Sequence, residues 1–205
     1  MRMRKKRNGA QRIAACDDYI VHNASEIVKY PVDLEIGCGK GSFILELSRR
    51  NPDRDYIAME RVSDVLLLAA EKIKAEEANN VRFIVGDAKD LLTYFPPFSV
   101  SRIYLNFSDP WPKSGYAKRR LTYRSFLEIY KQILVPNGEI VMKTDNINLF
   151  EFSLEEFTVA GFKLKEITRD LHNSEYNENN IVTEYEINFS EKGFKINRVV
   201  AYLEN

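Results

Sequence analysis

The sequence predicts an α/β protein with a doubly wound, mostly parallel seven-stranded sheet that carries helices on both faces. Short apolar runs rich in β-branched residues alternate with segments whose apolar residues recur at helical spacing. A glycine-rich stretch at residues 37–41 follows the first run, at the place where a doubly wound fold turns from strand to helix. After residue 161 the alternation ends, and two more strand-like runs complete the sheet.

The first five strands and their helices are read from this alternation. The strands are predicted at residues 32–37, 55–60, 81–86, 102–107 and 139–144. The helical segments that accompany them are residues 41–51, 62–78, 121–134 and 148–161. Strands that alternate with helices in this way form a parallel sheet covered on both faces.

The C-terminal part follows a different order. Strands are predicted at residues 162–171 and 196–204, and a polar loop at 171–180 follows the first of them. The stretch TEYE, residues 183–186, fits a capping box, in which a threonine caps a helix start and a glutamate three residues later reaches back. The short helix that begins there is expected to stop near Gly193.

Composition indicates one folded domain. The chain has 205 residues, 44% apolar and 29% charged, and its 30 basic residues balance its 30 acidic ones. The basic residues are unevenly placed, since six of them fall within the first twelve positions. We therefore expect a basic, flexible arm at residues 1–20 and a single domain at residues 21–205. The arm is either a sequence-blind nucleic-acid contact or a solvated tail.

Several classes of protein are excluded. The basic arm is not followed by the apolar segment of a secretory signal, and no window approaches the ~18 apolar residues of a membrane span. Cys16 and Cys38 do not form a disulfide or metal pattern, and His22 and His172 have no partners at ligand spacing. We expect a cytoplasmic, metal-free protein, either monomer or homodimer.

The glycine stretch EIGCGKG predicts a cofactor loop. A dinucleotide fingerprint requires glycine or alanine three residues beyond Gly39, and this chain has Ser42 there. Gly37, Gly39 and Gly41 instead give the spacing G-x-G-x-G, which is similar to the S-adenosylmethionine loop of class I methyltransferases. The spacing therefore disfavours a nicotinamide oxidoreductase and predicts S-adenosylmethionine as the cofactor.

A carboxylate lies at the end of each of the first three predicted strands. Glu35 precedes the first glycine, Glu60 ends the second strand and Asp87 follows the third. Ligands of open parallel sheets bind beyond the carboxyl ends of the strands. We expect Glu35 to face the amino-acid end of the cofactor, Glu60 its ribose hydroxyls and Asp87 its adenine amino group.

The segment NFSDPWPKSGYAKRR, residues 106–120, follows the fourth strand. Its two prolines, each lacking an N–H and with φ fixed, exclude regular structure around Asp109. By itself the segment fits a rigid loop with a solvated basic edge. Trp111, the only tryptophan, fits either a packing role or a stacking role against cofactor or base.

The motifs together resemble one family. EIGCGKG, NFSDPWPK followed by KRRL, KTD and TEYE look like the bacterial tRNA (guanine-N7)-methyltransferases, from about Asp33 to the C-terminus. The resemblance implies a class I, Rossmann-like methyltransferase fold, S-adenosylmethionine as methyl donor and tRNA as substrate. It adds Asp109 to the cofactor residues Glu35, Glu60 and Asp87. The substrate positions that it implies are Lys113, Asp145, Thr183, Glu184, Tyr185 and Glu186, and its RNA-contacting loop is Gly115, Tyr116, Ala117, Lys118, Arg119 and Arg120.

One position departs from the family pattern. Tyr116 stands where a histidine is usual, and the surrounding loop has fewer basic residues than the family carries. The departure argues against an essential imidazole and indicates a weaker phosphate grip or a more mobile loop.

The implied chemistry fits the residues. Guanine N7 has a free lone pair and no proton to remove, and the sulfonium donor is already activated. No general base, nucleophile or metal is needed, so the enzyme works by alignment. Asp109 is the expected catalytic residue, because a carboxylate can stabilise the positive charge that develops on the base.

Two other functions remain open. An exocyclic amino-methyltransferase carries an N/D-P-P-aromatic loop at the same place, and the SDPW of residues 108–111 is a near relative of it. The other is a catalytically silent RNA-binding module of the same fold.

Overall fold

The computed structural model describes residues 8–27 and 29–204, apart from the side chain of Ala10. The seven strands are β1 (Val32–Ile36), β2 (Tyr56–Glu60), β3 (Val81–Val85), β4 (Val100–Asn106), β5 (Leu134–Thr144), β6 (Lys163–Thr168) and β7 (Asn197–Tyr202). The helices are α1 (Gly9–Ala14), α2 (Ser42–Arg50), α3 (Ser63–Ala75), α4 (Arg124–Ile133), α5 (Ile147–Val159) and α6 (Glu184–Ser190). Short 3-10 turns lie between them.

All seven strands form one sheet in the order β3-β2-β1-β4-β5-β7-β6. The strands from β3 across to β5 are parallel, β7 is antiparallel to β5, and β6 is antiparallel to β7. The predicted doubly wound, mostly parallel sheet is confirmed. Its strand order reverses between β1 and β4, where a crevice opens at the carboxyl ends of the strands.

The sheet separates two apolar layers. Leu34 of β1 packs in one layer with Tyr130 of α4 and Phe157 of α5. Phe83 of β3 packs in the other layer with Ile44 of α2 and with side chains of α3. Successive strand residues point to opposite faces, so β2, β4 and β5 each contribute to both layers. Helices therefore cover both faces, as the sequence predicts.

Two strands begin earlier than predicted. β4 begins at Val100, which pairs with Leu134, the first residue of β5. The register then shifts, and Arg102 pairs with Glu139. The three residues Pro136-Asn137-Gly138 in β5 lie within this irregular stretch, and Asn137 has φ 58°. A proline and a glycine are typical of a turn, which is why the sequence pattern places the start of β5 too late.

Part of the predicted arm is folded onto the domain. Arg12 of α1 donates two hydrogen bonds of 2.7 and 2.6 Å to Glu71 of α3. Cys16 and Ile20 are buried in the α2/α3 layer, and the Val21 N–H bonds to the Phe83 carbonyl at 2.7 Å. Residues 1–7, which hold most of the predicted basic cluster, lie outside the described residues. No helix in the described ranges is long and apolar enough to span a bilayer.

Candidate active site

The glycine loop joins β1 to α2 in a conformation that its residues allow. Gly37, Gly39 and Gly41 have φ values of 81°, 56° and 75°, in the left-handed region that favours glycine. At Gly41 there is a second constraint, since a Cβ there would lie 2.8 Å from the Cβ of Ala69 on α3. The loop therefore stays close to α3 and keeps its backbone open to the crevice.

Two of the predicted carboxylates face the same cavity beside this loop. Glu60 accepts hydrogen bonds from the Gly39 N–H at 3.3 Å and the Val62 N–H at 2.9 Å. Asp87 accepts one from the Lys89 N–H at 3.2 Å. Both residues line a cavity of about 670 Å³. Because a carboxylate accepts about four hydrogen bonds, each retains capacity for a ligand.

Glu35 is buried on β1 with half of its carboxylate unused. Its Oε1 accepts a hydrogen bond from the Asn106 amide at 3.1 Å. Within the described part of the chain, Glu35 Oε2 and Asn106 Oδ1 are buried without a partner. Burial raises the pKa of Glu35 to about 7, although Asn106 and Lys143 act in the opposite direction. Two orphaned acceptor oxygens side by side fit a cationic group with several N–H donors.

A second cavity adjoins the first on the side of α6. It measures about 400 Å³ and is lined by Glu35, the glycine loop and residues of α6. Gly37, Asn106 and Phe107 line both cavities. An elongated ligand can therefore lie across the β1/β4 crevice with one end near Glu60 and the other near Glu35.

The loop after β4 brings Asp109 to the larger cavity. Asp109 and Trp111 line it together with Glu60 and Asp87. Phe107 and Trp111 have positive φ values of 52° and 41°, which cost on the order of 1–2 kcal/mol each for residues that carry a Cβ. The chain thus turns sharply on either side of Asp109, and the acid is presented at the mouth of the cavity.

The basic run that follows is divided among different contacts. Lys113, Gly115, Tyr116 and Lys118 are exposed on or beside a 3-10 turn, and Ala117 is half-buried. The Arg119 guanidinium lies 4.8 Å from the Trp111 ring and 4.7 Å from the Tyr116 ring. Arg120 turns inward and bonds to carbonyls of the Asp109 loop.

Helix α6 is fixed by a buried ion pair. The predicted capping box is confirmed between Thr183 and Glu186. Lys143 of β5 donates to Glu186 at 2.7 Å and to Asn180 at 3.0 Å, and both charged side chains are almost wholly buried. Burial lowers the pKa of Lys143 despite the nearby glutamate. Burial pushes the pKa of Glu186 up, but Lys143, His172 and Asn180 outweigh it, and the pKa lies below its usual range.

The exposed face of α6 closes one side of the smaller cavity. Glu184 accepts hydrogen bonds from Ser42 at 2.7 Å and from Lys40 at 3.2 Å, and it pairs with Lys72 at 3.4 Å. The Ser42 hydroxyl and the two lysines together lower the pKa of Glu184. The helix is thereby linked to the start of α2 and to α3.

Tyr185 lies near two other predicted site residues, Asp145 and Asp109. Its ring is 4.8 Å from that of Phe107 and stacks on Phe189 at 4.2 Å. Its pKa is raised, first by burial and then by the negative charges of Asp145 and Asp109. Asp145 follows the end of β5, so the carboxyl ends of β4 and β5 and the start of α6 meet here.

Sequence analysis missed several residues of the site. Asn106 ends β4 and Phe107 follows it, but an amide and a phenylalanine give no chemical signal by themselves. Lys143 begins the KTD motif, but its buried partner Glu186 is 43 residues away. His172 has no partner at ligand spacing in the sequence, and in the fold its Nε2 lies 2.8 Å from Glu186 Oε1. Among the described residues no cluster of three or more potential metal ligands is found.

Comparison with known proteins decides the family. A family model described as "Putative methyltransferase" matches residues 29–199. A tRNA (guanine-N(7)-)-methyltransferase of Lachnoclostridium phytofermentans is 46% identical over 96% of each chain. The protein of the same name from Clostridioides difficile is 44% identical over the full length of both. The chain belongs to the tRNA (guanine-N7)-methyltransferase family. The resemblance drawn from the sequence motifs is confirmed.

Solved structures share the fold at low sequence identity. An antibiotic-related methyltransferase superimposes with a TM-score of 0.58 at 15% identity, covering 98% of this chain and 95% of that one. A precorrin-6y C5,15-methyltransferase from Geobacter metallireducens gives 0.57 at 16% identity, covering 93% and 87%. Both similarities support the class I methyltransferase fold, but at this sequence identity they do not indicate the substrate.

Proposed function

We propose that this protein transfers a methyl group from S-adenosylmethionine to N7 of a guanine in the variable loop of tRNA. One observation carries the proposal: Asp109 lines the same cavity as Glu60 and Asp87. The acid of the family motif therefore lies beside the strand-end carboxylates expected to bind the donor. The names of the relatives support the same reaction, and a tRNA substrate is consistent with the expected cytoplasmic location.

The crevice fits S-adenosylmethionine, which supplies a methyl group activated on a sulfonium. Glu35 and Asn106 offer buried acceptor oxygens to the ammonium of its amino-acid end. Glu60 and Asp87 face the larger cavity, where they are placed for ribose hydroxyls and the adenine amino group. Gly37, Gly39 and Gly41 let the backbone approach between the two ends.

The remaining work is alignment and charge stabilisation. Guanine N7 supplies the electron pair of the new N–CH₃ bond, and the bond from sulfur to the methyl carbon breaks with its pair left on sulfur. No proton is transferred in this step. The base gains positive charge, and the Asp109 carboxylate at the cavity mouth stabilises it. Tyr185 and Asp145 are placed to hold the edge of the guanine.

The other predicted substrate residues fall into two groups. Glu184 and Lys113 are exposed and can meet RNA directly. Thr183 and Glu186 are buried in the capping box, so their proposed role is to stabilise α6 rather than to contact RNA directly. The turn at residues 115–119 supplies the RNA contacts, with Lys118 and Arg119 for phosphate. In A-form RNA, guanine N7 lies in the deep, narrow major groove, which side chains cannot enter. A protein can therefore reach N7 only in an irregular region such as the variable loop.

A direct assay tests the proposal. The protein is incubated with S-adenosylmethionine labelled in its methyl group and with tRNA that lacks modifications. Digestion to nucleosides should give label in 7-methylguanosine, and aniline cleavage after reduction should map it to the variable loop. Label in an exocyclically methylated base would support the amino-methyltransferase alternative. Tight tRNA binding without label would support the silent RNA-binding module.

A further inference from the structure

The three consecutive cations after the Asp109 loop have unlike surroundings. Lys118 is exposed, and the Arg119 guanidinium packs against both the Trp111 and Tyr116 rings. Arg120 is half-buried, and both groups to which it donates are backbone carbonyls. Its Nε bonds to the Pro110 oxygen at 3.0 Å and its Nη2 to the Trp111 oxygen at 3.0 Å. These are the two residues directly after Asp109.

The backbone of the loop has few interactions of its own to hold its shape. In the described part of the chain, residues 108–112 make no backbone-to-backbone hydrogen bond. Pro110 and Pro112 have no N–H to donate. Phe107 and Trp111, on either side of Asp109, have the unfavourable positive φ values. A loop of this kind keeps one conformation only when its surroundings impose it.

Arg120 connects the loop to a rigid support. Its guanidinium lies 4.3 Å from the ring of Phe152 on α5. The neighbouring Thr122 hydroxyl bonds to Ser153 at 2.7 Å, and the Arg124 N–H bonds to Glu156 at 2.7 Å. The segment that carries Arg120 is therefore fastened along one face of α5. Through its two hydrogen bonds, the guanidinium holds the Pro110 and Trp111 carbonyls in place relative to α5.

We propose that Arg120 is a positioning residue that fixes the Asp109 loop, and that it is not one of the phosphate contacts. The planar guanidinium offers several donors in a fixed fork, and two of them match the paired carbonyls. This inference rests on the proposed function only for its kinetic consequence. The geometry of the loop can be tested without tRNA.

The test uses Arg120→Lys, which keeps the charge and loses the fork. With saturating tRNA and S-adenosylmethionine, we expect kcat to fall by about tenfold or more, because misplacement of a reacting group by about 1 Å is costly. The KM for tRNA and its salt dependence should stay within twofold of the wild-type values. A higher KM with a weaker salt dependence and normal kcat would identify a phosphate contact and overturn the proposal.

Trp111 gives a second readout that needs no activity, since it is the only tryptophan. We expect Arg120→Lys to make its fluorescence more accessible to acrylamide and to lower its anisotropy. An unchanged Trp111 signal would contradict the proposal that Arg120 fixes the Asp109 loop, whether or not the enzyme methylates tRNA. If Arg120→Lys does not fold, Phe152→Leu removes the supporting ring and should shift the same signals by a smaller amount.

Arg169→Lys is the matched control. Arg169 also donates two hydrogen bonds, to Glu151 of α5 at 2.7 and 3.0 Å, and lies 5.6 Å from the Phe150 ring. It lies outside both cavities of the site. This variant should alter neither kcat nor the Trp111 signal. Equal effects of the two variants would mean that loss of any such arginine perturbs the domain, and the proposal would fall.

Discussion

The two halves of the site are held by different means. In the half proposed to bind the cofactor (the cofactor half), the positions of Glu35, Glu60 and Asp87 follow from the ends of three adjacent parallel strands. In the half proposed to bind the substrate (the substrate half), the Asp109 loop and the short helix α6 depend on side-chain contacts for their positions. Lys143 and Arg120 supply two of these contacts. The first half is fixed by backbone pairing and the second by a few charged groups, so single substitutions should affect the halves differently.

The largest effect on stability is expected at Lys143. Lys143→Met leaves the Glu186 carboxylate buried without its cation, and removal of one partner of a buried pair costs about 3–5 kcal/mol. Denaturant unfolding should show this loss at pH 8.

The surface pair Lys163–Glu204 provides the control for Lys143. Lys163 is exposed and ion-paired at 3.0 Å. Lys163→Met should leave the free energy of unfolding unchanged within error, since exposed pairs contribute little. A Lys143→Met protein as stable as wild type at pH 8 would show that α6 does not depend on this pair.

The next largest effect is expected at Asp109, and it concerns turnover. Asp109→Asn keeps the shape and hydrogen-bonding reach of the side chain but removes its charge. We expect kcat to fall by roughly 10²–10³-fold, the range for loss of one preorganised electrostatic contact. The assay needs saturating S-adenosylmethionine, and tRNA binding should change only a few-fold. Full activity of the saturated variant would show that the loop only shapes the cavity.

The contrast also explains what could be predicted from the sequence. Strand-end carboxylates are visible because strands are periodic and the ends of parallel strands meet at one edge. The TEYE capping box is visible because its contacts span three residues. The pairing of Lys143 with Glu186 and of Glu184 with Ser42 joins residues 43 and 142 positions apart. Such contacts depend on the packing of α6 against the sheet, so no local pattern shows them.

Arg120 illustrates the same limit at short range. Within KRRL the three cations look alike, and the family resemblance implies RNA contacts for all of them. Their surroundings separate them only after the Asp109 loop has folded against α5. Some predicted helix boundaries are also wrong by a few residues. For example, α4 begins at Arg124, whereas the sequence pattern predicts a start at residue 121, and this difference does not affect the site.

In the cofactor half, Glu35→Gln should change stability and ligand binding in opposite directions. Burial raises the pKa of Glu35 to about 7 from 4.5. A carboxyl with a raised pKa favours folding at low pH, and this contribution is lost as the pH rises from about 4.5 through 7. The glutamine variant avoids that loss, so at pH 8 the ligand-free protein should gain about 3 kcal/mol of stability.

Unfolding at pH 4 and pH 8 checks the sign, since the gain should be absent at pH 4. Calorimetry with S-adenosylhomocysteine, which has the same amino-acid end as the donor, should show weaker binding to Glu35→Gln. Wild-type affinity should rise between pH 6 and pH 7.5 as Glu35 ionises, and the variant should lack this rise. A variant that is no more stable at pH 8 would contradict the raised pKa of Glu35. A variant that binds S-adenosylhomocysteine as tightly as the wild type would remove Glu35 from the ammonium site.

The smallest effect is expected at Lys118, on the exposed edge of the substrate half. If it contacts a phosphate, Lys118→Ala should raise the KM for tRNA a few-fold and reduce the slope of log affinity against log salt by about one, because one counterion fewer is released. Lys131→Ala is the control. Lys131 is paired with Glu128 on α4. Helix α4 ends where β5 begins, so Lys131 lies near the amino ends of the strands, away from the site at their carboxyl ends. Identical salt slopes for the two variants would show that Lys118 is only solvated, and the RNA contact of this turn would then depend on Arg119.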